Sequence, residues 1–384
     1  MLKNKDKGIT LIALVITIII LLILAGISIS ALTNQGLFKN AKAAQNATEK
    51  AEAEQGQRLN EYEDEINKYL GNSKEESKVP TVEESIKKNG ALSTTDNTEL
   101  KDAKNNKIVV PAGFKIVEGA TTVDKGIVIE DVTETATKGS QFVWIPVGTI
   151  TKSDGTTVTI TLGRYDFDAT TGKESAYSGR YIEEDANDTS TLKKYGNTIA
   201  KNITKFKNSV ATNGGYYIGR YEARTATARN AAGNALTQIT EKGTDNVYDW
   251  VTQLQAAQLS QNMYTSDKFT SDLINSYAWD TAIVFIQNCG TNAKYSRQNS
   301  LNTSLAQTGT NSLTDTSKVD VQCNIYDMAR NIFEWTTETS DNSSSRCVSR
   351  GGRYSSSDLY TCFRTSYYTS VSLVSIGFRP LLYL

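Results

Sequence analysis

The stretch Ile9–Ile29, ITLIALVITIIILLILAGISI, runs for 21 positions without a charge. At 1.5 Å per residue a helix of that length covers the ~30 Å hydrocarbon core of a bilayer. In lipid every backbone N–H and C=O has to find its partner within the segment, so a lone span has one fold open to it, an α-helix. Lys3, Lys5 and Lys7 stand before it, opposed only by Asp6. The positive-inside rule then holds the N-terminus in the cytoplasm and sends everything after the span outside. The expectation is a single-pass membrane protein, with residues 9–32 as the transmembrane helix and the bulk of the chain extracellular. A cleaved secretory signal is the competing reading. It needs a shorter apolar core of ~7–15 residues and a small-residue cleavage site, for which Ala25, Gly26 and Ser28 would serve.

A short basic segment ending at Gly8 and followed by Ile9-Thr10-Leu11-Ile12 resembles the type IV prepilin signal of bacteria, which a prepilin peptidase cuts after the glycine. The resemblance implies a leader over residues 1–8, cleavage between Gly8 and Ile9, a bacterial cell membrane, and pilus components as partners. It departs at Ala13, where pilins carry a glutamate that helps docking into the filament. Beyond Gly36, Leu37, Ala41, Ala44, Thr48 and Ala51, then Leu59, Tyr62, Ile66 and Tyr69, recur at steps of three and four, the period of one helix face. A helical stalk over 33–70 follows, either pilin-type or a plain spacer. Gly71-Asn72-Ser73 and Pro80 mark a linker over 71–94 with one short helix around Val82–Lys88.

Composition then removes most chemistry. The chain contains no histidine, which excludes Ser-His-Asp triads, Cys-His dyads and His-ligated metals. Its 41 basic and 42 acidic residues leave a net charge of -1, so nucleic acid is not an expected partner. Cys289, Cys323, Cys347 and Cys362 are too widely spaced for a CxxC motif. They allow one or two disulfides outside the membrane, or buried thiols, and no pairing is singled out. From residue 95 short β-type runs dominate: Lys107–Val110, Phe114–Val117, Gly126–Glu130, Gln141–Pro146, Thr157–Leu162 and Tyr216–Tyr221. Helical periodicity is confined to Val247–Gln258 and Asp272–Asn288. That pattern predicts an irregular α+β domain over 95–384.

Within it, QFVWIPVG (Gln141–Gly148), GGYYIGRYEA (Gly214–Ala223), YAWDTAIVFI (Tyr277–Ile286), NIYDMARNIFEWTTE (Asn324–Glu338), SRGG (Ser349–Gly352) and GFRPLLYL (Gly377–Leu384) follow one another. The set resembles the formylglycine-generating-enzyme (sulfatase-modifying-factor) family, in the order that family shows, and implies an irregular C-type-lectin-like fold behind a long N-terminal transmembrane and stalk α-helix. Arg330 replaces the family's glycine before Asn331. By the same resemblance Asn331 and Glu334 are candidate oxygen donors to a structural calcium, the one cofactor implied; taken alone they read as a satisfied hydrogen-bond pair. The family's two catalytic cysteines would fall at about Ser356 and Thr361, with Cys362 one place off. The copper-dependent oxidoreductase reading therefore ranks third, and no enzyme is expected.

Arg353–Ile376, RYSSSDLYTCFRTSYYTSVSLVSI, holds seven Ser, four Tyr and three Thr, and no Lys, Glu, Gln, Trp or Met. Tyrosine offers large contact area at low entropic cost, and serine small adjustable hydrogen bonds, which suits a binding surface. The residue types are those reached by changing only the adenines of an asparagine codon, and the segment resembles the variable region of diversity-generating-retroelement targets, which share this fold branch and this position before a terminal GFR block. The resemblance implies a surface-displayed, adhesin- or receptor-like binder of a macromolecular or cell-surface ligand. Its contacts would be Arg353, Ser355, Ser356, Ser357, Asp358, Tyr360, Thr365, Ser366, Tyr367, Tyr368, Thr369, Ser370, Ser372 and Ser375. A plain Ser/Thr/Tyr-rich set of strands and turns is the bland alternative. A minor pilin or pseudopilin is the alternative function.

Overall fold

A computed structural model of the chain describes residues 79–88, 90–183, 185, 202–299, 320–340 and 346–384, with residues 16–22 and scattered positions from 47 to 62. The chain divides into two compact units, Met1–Lys78 and Val79–Leu384. In the first, residues 16–22 and the described positions between Ala47 and Tyr62 are helical. Among the described residues no helix is long and apolar enough to cross a membrane. The expected long N-terminal transmembrane helix is therefore not supported by the described residues. Gly8, Ile9 and most of the expected span and stalk lie outside the described residues.

The second unit begins earlier than the polar composition of 71–94 suggests. Thr81 and Glu84 form a capping box that starts helix α1, Val82–Ile86, and Val82 is wholly buried in the core. Ile86 and Leu92 pack against the same core, and the Leu92 N–H donates to the Phe114 carbonyl, so this polar segment is tied to the domain.

Eleven strands build two sheets: β1 (Phe114–Ile116), β2 (Val128–Asp131), β3 (Gln141–Pro146), β4 (Tyr181–Ile182), β5 (Gly215–Gly219), β6 (Thr270–Leu273), β7 (Phe333–Ser340), β8 (Cys347–Arg350), β9 (Arg364–Tyr367), β10 (Ile376–Phe378) and β11 (Pro380–Tyr383). Short two-stranded ribbons, among them Thr98–Lys101 with Lys107–Val110, account for the rest. Three further helices are α2 (Ile203–Asn213), α3 (Gln253–Gln261) and α4 (Ser276–Cys289).

The first sheet runs β6-β11-β5-β3-β2-β1, antiparallel at every pair. Successive side chains of a strand point to opposite faces, and here both faces are apolar. Phe142, Trp144, Tyr217 and Leu382 enter one core with Trp335 and Phe378, while Val143, Ile145, Tyr216, Ile218, Leu381 and Tyr383 enter another with Trp279 and Phe285 of α4. That double burial explains why β3 and β5 read as unbroken apolar runs rather than alternating ones.

The second sheet runs β4-β7-β8-β9, with β10 off that path and parallel to β7 along Phe333–Trp335. All eight residues of β7 are buried. The helices arise at caps: Asn275 accepts from the N–H of Ala278 to start α4, and Thr252 with Gln255 forms the capping box of α3. Val247–Gln258 is thus a helix only from Gln253, because Asn246–Val247 is a strand and Trp250 has φ of 52°. Likewise Asp272 belongs to β6, and α4 begins after it. Helix α2 was not anticipated; Asn202 caps it, Gly214 ends it at φ 76°, and Ile203, Phe206 and Val210 face the core.

Candidate functional site

Two buried carboxylates organise the face that carries residues 353–376. Asp280 comes from α4 and Glu338 from β7, and both are fully buried. The register of β8 and β9 sets Arg350 directly opposite Arg364, a like-charge pair that would repel if left alone. The carboxylates resolve it. Asp280 joins Arg350 to Arg364, and Glu338 accepts from Arg164 at 2.6 Å, Arg364 at 3.1 Å and Arg350 at 3.3 Å. Burial pushes the Glu338 carboxyl up, but Arg364, Arg350 and Arg164 outweigh it and hold the group at about 2.

A second buried cluster holds the block from Asn324 to Glu338 in place. Arg379, between β10 and β11, binds both oxygens of Glu334 and the carbonyls of Gly219 at 2.9 Å and Tyr326 at 2.7 Å. Asn331 donates its side-chain amide to Glu222, whose carboxyl burial pushes well up, with Asp327 and Glu334 adding to the shift. The two candidate calcium donors are thus engaged by Glu222 and by Arg379. Among the described residues no group of three or more Cys, Asp or Glu is placed to hold a metal ion. Asn331 takes φ of 64°, a left-handed conformation that asparagine tolerates, so the turn survives Arg330 in the preceding place. Gly351 sits at φ 82°, and a Cβ there would come within 2.6 Å of the Met328 carbonyl oxygen, which is the physical need behind the SRGG block.

The structure sorts the residues of the Ser/Tyr-rich segment into three groups. Ser355, Ser357, Asp358, Tyr368, Thr369 and Ser370 are exposed, as is Leu373. Arg353, Ser356, Tyr360, Thr365, Ser366, Tyr367 and Ser372 are half-buried. Arg353 donates to Ser356 at 3.2 Å and stacks over the Phe333 ring. Tyr367 meets Trp335 edge-on at 5.8 Å between centroids and also touches Phe333, so its ring belongs to the core. Ser375 is buried, its carbonyl accepting from the N–H of Phe333. Composition concealed this division, because serine and tyrosine serve surface and core alike.

At the positions the resemblance assigns to catalytic thiols, Ser356 is half-buried and Thr361 fully buried. The nearby Cys362 thiol is pushed up by burial, with Arg350 and Arg297 opposing, which leaves little thiolate. All four cysteines are free thiols. Sequence reasoning missed Arg164, Asp280, Glu338 and Arg364, the groups that fix β9 and hence the loops on either side of it.

Fold and site together define a sheet-rich mixed α/β domain that presents two exposed loops around one pinned strand. No family model matches the chain, and no curated protein matches it. Among solved structures the chain is similar to Treponema denticola variable protein 1, at a TM-score of 0.33 and 12% identity over 65% of this chain and 98% of that one. It is also similar to CarF, at a TM-score of 0.28 and 12% identity over 62% of this chain and 97% of that one. Overlaps this loose define no family.

Proposed function

We propose that this protein is a surface-displayed, membrane-anchored binder of a macromolecular ligand, whose loops at Ser355–Asp358 and Tyr368–Leu373 form a sequence-tolerant contact face rewritten by a diversity-generating retroelement. The observation that carries the reading is the division of one compositionally uniform segment. Thr361, Arg364, Tyr367 and Ser375 are built into the scaffold, while Ser355, Ser357, Asp358, Tyr368, Thr369, Ser370 and Leu373 stand in solvent. Loops held at both ends by buried groups accept substitution at their tips without loss of the fold. Tyr368, with 59% of its surface exposed, is the aromatic anchor such a face offers.

The reading assigns no catalysis and no cofactor, and it takes the pilin-type leader as a route to the membrane, cut between Gly8 and Ile9. Its test is the gene itself, sequenced across independent lineages. Substitutions should gather in the codons for Ser355, Ser357, Asp358, Tyr368, Thr369, Ser370 and Leu373, at adenines of a near-copy template beside a reverse-transcriptase gene. Substitutions spread evenly over 95–384, or an adjoining locus without such a template, would sink it. A library randomised at the same seven positions should yield mostly folded chains by thermal melting.

A further inference from the structure

The second sheet ends on β9, and its ladder with β8 settles which backbone groups of that strand are left over. Val348 stands opposite Ser366, Ser349 opposite Thr365 and Arg350 opposite Arg364, and one step further the Gly351 N–H donates to the Phe363 carbonyl at 3.3 Å. Bonded and unbonded pairs alternate along an antiparallel ladder. Thr365 therefore turns its N–H and C=O toward β8, while Arg364 and Ser366 turn theirs away from it. Among the described residues no other backbone group meets these outward N–H and C=O groups. The first sheet differs, because its edge strand β1 is covered: the Leu92 N–H donates to the Phe114 carbonyl at 3.0 Å, and the Gly113 N–H to the Ser93 carbonyl at 2.8 Å. Nor is β9 blunted by composition. Arg353–Ile376 contains no proline and no lysine, the residues that most often close an edge, and Arg364 already has Asp280 and Glu338 as its counter-charges.

We infer that the open edge of β9 receives an extended segment of a polypeptide ligand, which adds one strand to the second sheet. This rests on the proposed contact face and names the class of partner that the face takes. Amides and carbonyls repeating at the spacing of a strand are matched by the backbone of another strand, which carries the same groups at the same spacing. The exposed residues at Ser355–Asp358 and Tyr368–Leu373, before and after β9 in the chain, then supply the side-chain contacts. Backbone hydrogen bonds do not depend on which side chain stands at 364 or 366, proline apart. A face that changes its side chains thus keeps one fixed way of holding a peptide.

The probe is a phage-displayed library of random dodecapeptides selected on the full chain, and the tightest binder is then synthesised with N-methyl groups on alternate amides, in one phase and in the other. One phase should weaken binding about tenfold or more, the scale of one or two lost backbone hydrogen bonds, and the other should not. On the protein, Ser366→Pro removes an outward N–H and should keep the melting point while losing the peptide. Ser366→Ala should bind as the parent does. Thr365→Pro removes a ladder bond and should lower the melting point by ~5 °C or more, which checks the phase of β9 without any ligand. A library that yields no binder, equal affinity in both methylated phases, full binding by Ser366→Pro, or a Ser366→Pro chain that melts as early as Thr365→Pro overturns the edge. A dimer of the full chain in sedimentation that Ser366→Pro dissolves overturns the foreign ligand in favour of a second copy. The contact face is tested apart, through the gene and the library at its seven exposed positions. Peptides that bind it regardless of N-methylation leave it standing without the edge, and an invariant gene leaves the edge standing without the retroelement.

Discussion

Replacing Glu338 with glutamine keeps its shape and removes its charge, and the structure sets the cost. In an unfolded chain a glutamate titrates near ~4.3, and each unit of depression corresponds to ~1.4 kcal/mol. Held at about 2 by Arg364, Arg350 and Arg164, Glu338 contributes roughly 3 kcal/mol at neutral pH. The independent scale for cutting one partner from a buried ion pair, ~3–5 kcal/mol, agrees. At ~1.6 °C per kcal/mol for a unit as large as Val79–Leu384, the melting point should fall by ~5 °C. The sign with pH follows from a folded pKa below the unfolded one: the contribution is complete above ~4.3 and disappears as pH falls through about 2. Scanning calorimetry at pH 7, 4 and 2 should therefore show a gap between parent and Glu338→Gln that is full at pH 7 and closes toward pH 2. Arg364→Ala should cost a similar amount, and the double variant less than the sum, because the two changes break the same contact. A gap under ~1 °C at pH 7, or one that persists unchanged at pH 2, would refute the reasoning.

Trp335→Ala removes a fully buried ring whose indole N–H donates to the Val251 carbonyl at 2.8 Å, and should lower the denaturant midpoint by the equivalent of ~3–5 kcal/mol. Tyr368→Ser, at an exposed position, should change stability by under ~0.5 kcal/mol. Tyr367→Ser should cost more than ~1 kcal/mol in the same assay, since its ring packs against Trp335 and such aromatic pairs add to simple burial. Asp249 is fully buried, and burial pushes its carboxyl up to about 7 against the pull of Arg229. With the folded value above the unfolded one, its contribution is present below ~3.9 and lost as pH rises through about 7, by up to ~4 kcal/mol. Melting curves at pH 5.5 and 8.5 should show Asp249→Asn flattening that alkaline loss, and an unchanged slope would count against the assignment.

The elements that could be read from the sequence are those whose side chains all answer to one demand. Phe142–Pro146 is apolar throughout because both faces of β3 are covered, and the run named itself a buried strand. Helix α4 was legible through Ala278, Ala282 and Phe285 but not its start, which depends on a single Asn275 cap. The exposed part of the Ser/Tyr-rich segment was legible from composition, since tyrosine and serine are what a tolerant surface uses. Its buried half was not. Whether Tyr367 or Tyr368 points inward is decided by the register of β9 on β8, and a one-residue slip would exchange them. Asp280, Glu338 and Arg164 come from three separate segments, and no local spacing reveals that they meet.

The last nine residues join both sheets. Residues 376–378 lie along β7, Arg379 locks the corner against Glu334, and residues 380–383 insert between β5 and β6. These contacts have large sequence separations, so they form late and the domain cannot close until residues 376–383 have been made. A chain that stops or shifts frame within the Ser/Tyr-rich segment arrives without the strand that joins β6 to β5 in the first sheet. The order of the chain thus places this closure downstream of the Ser/Tyr-rich segment, and only products translated in frame through Tyr383 acquire a closed core.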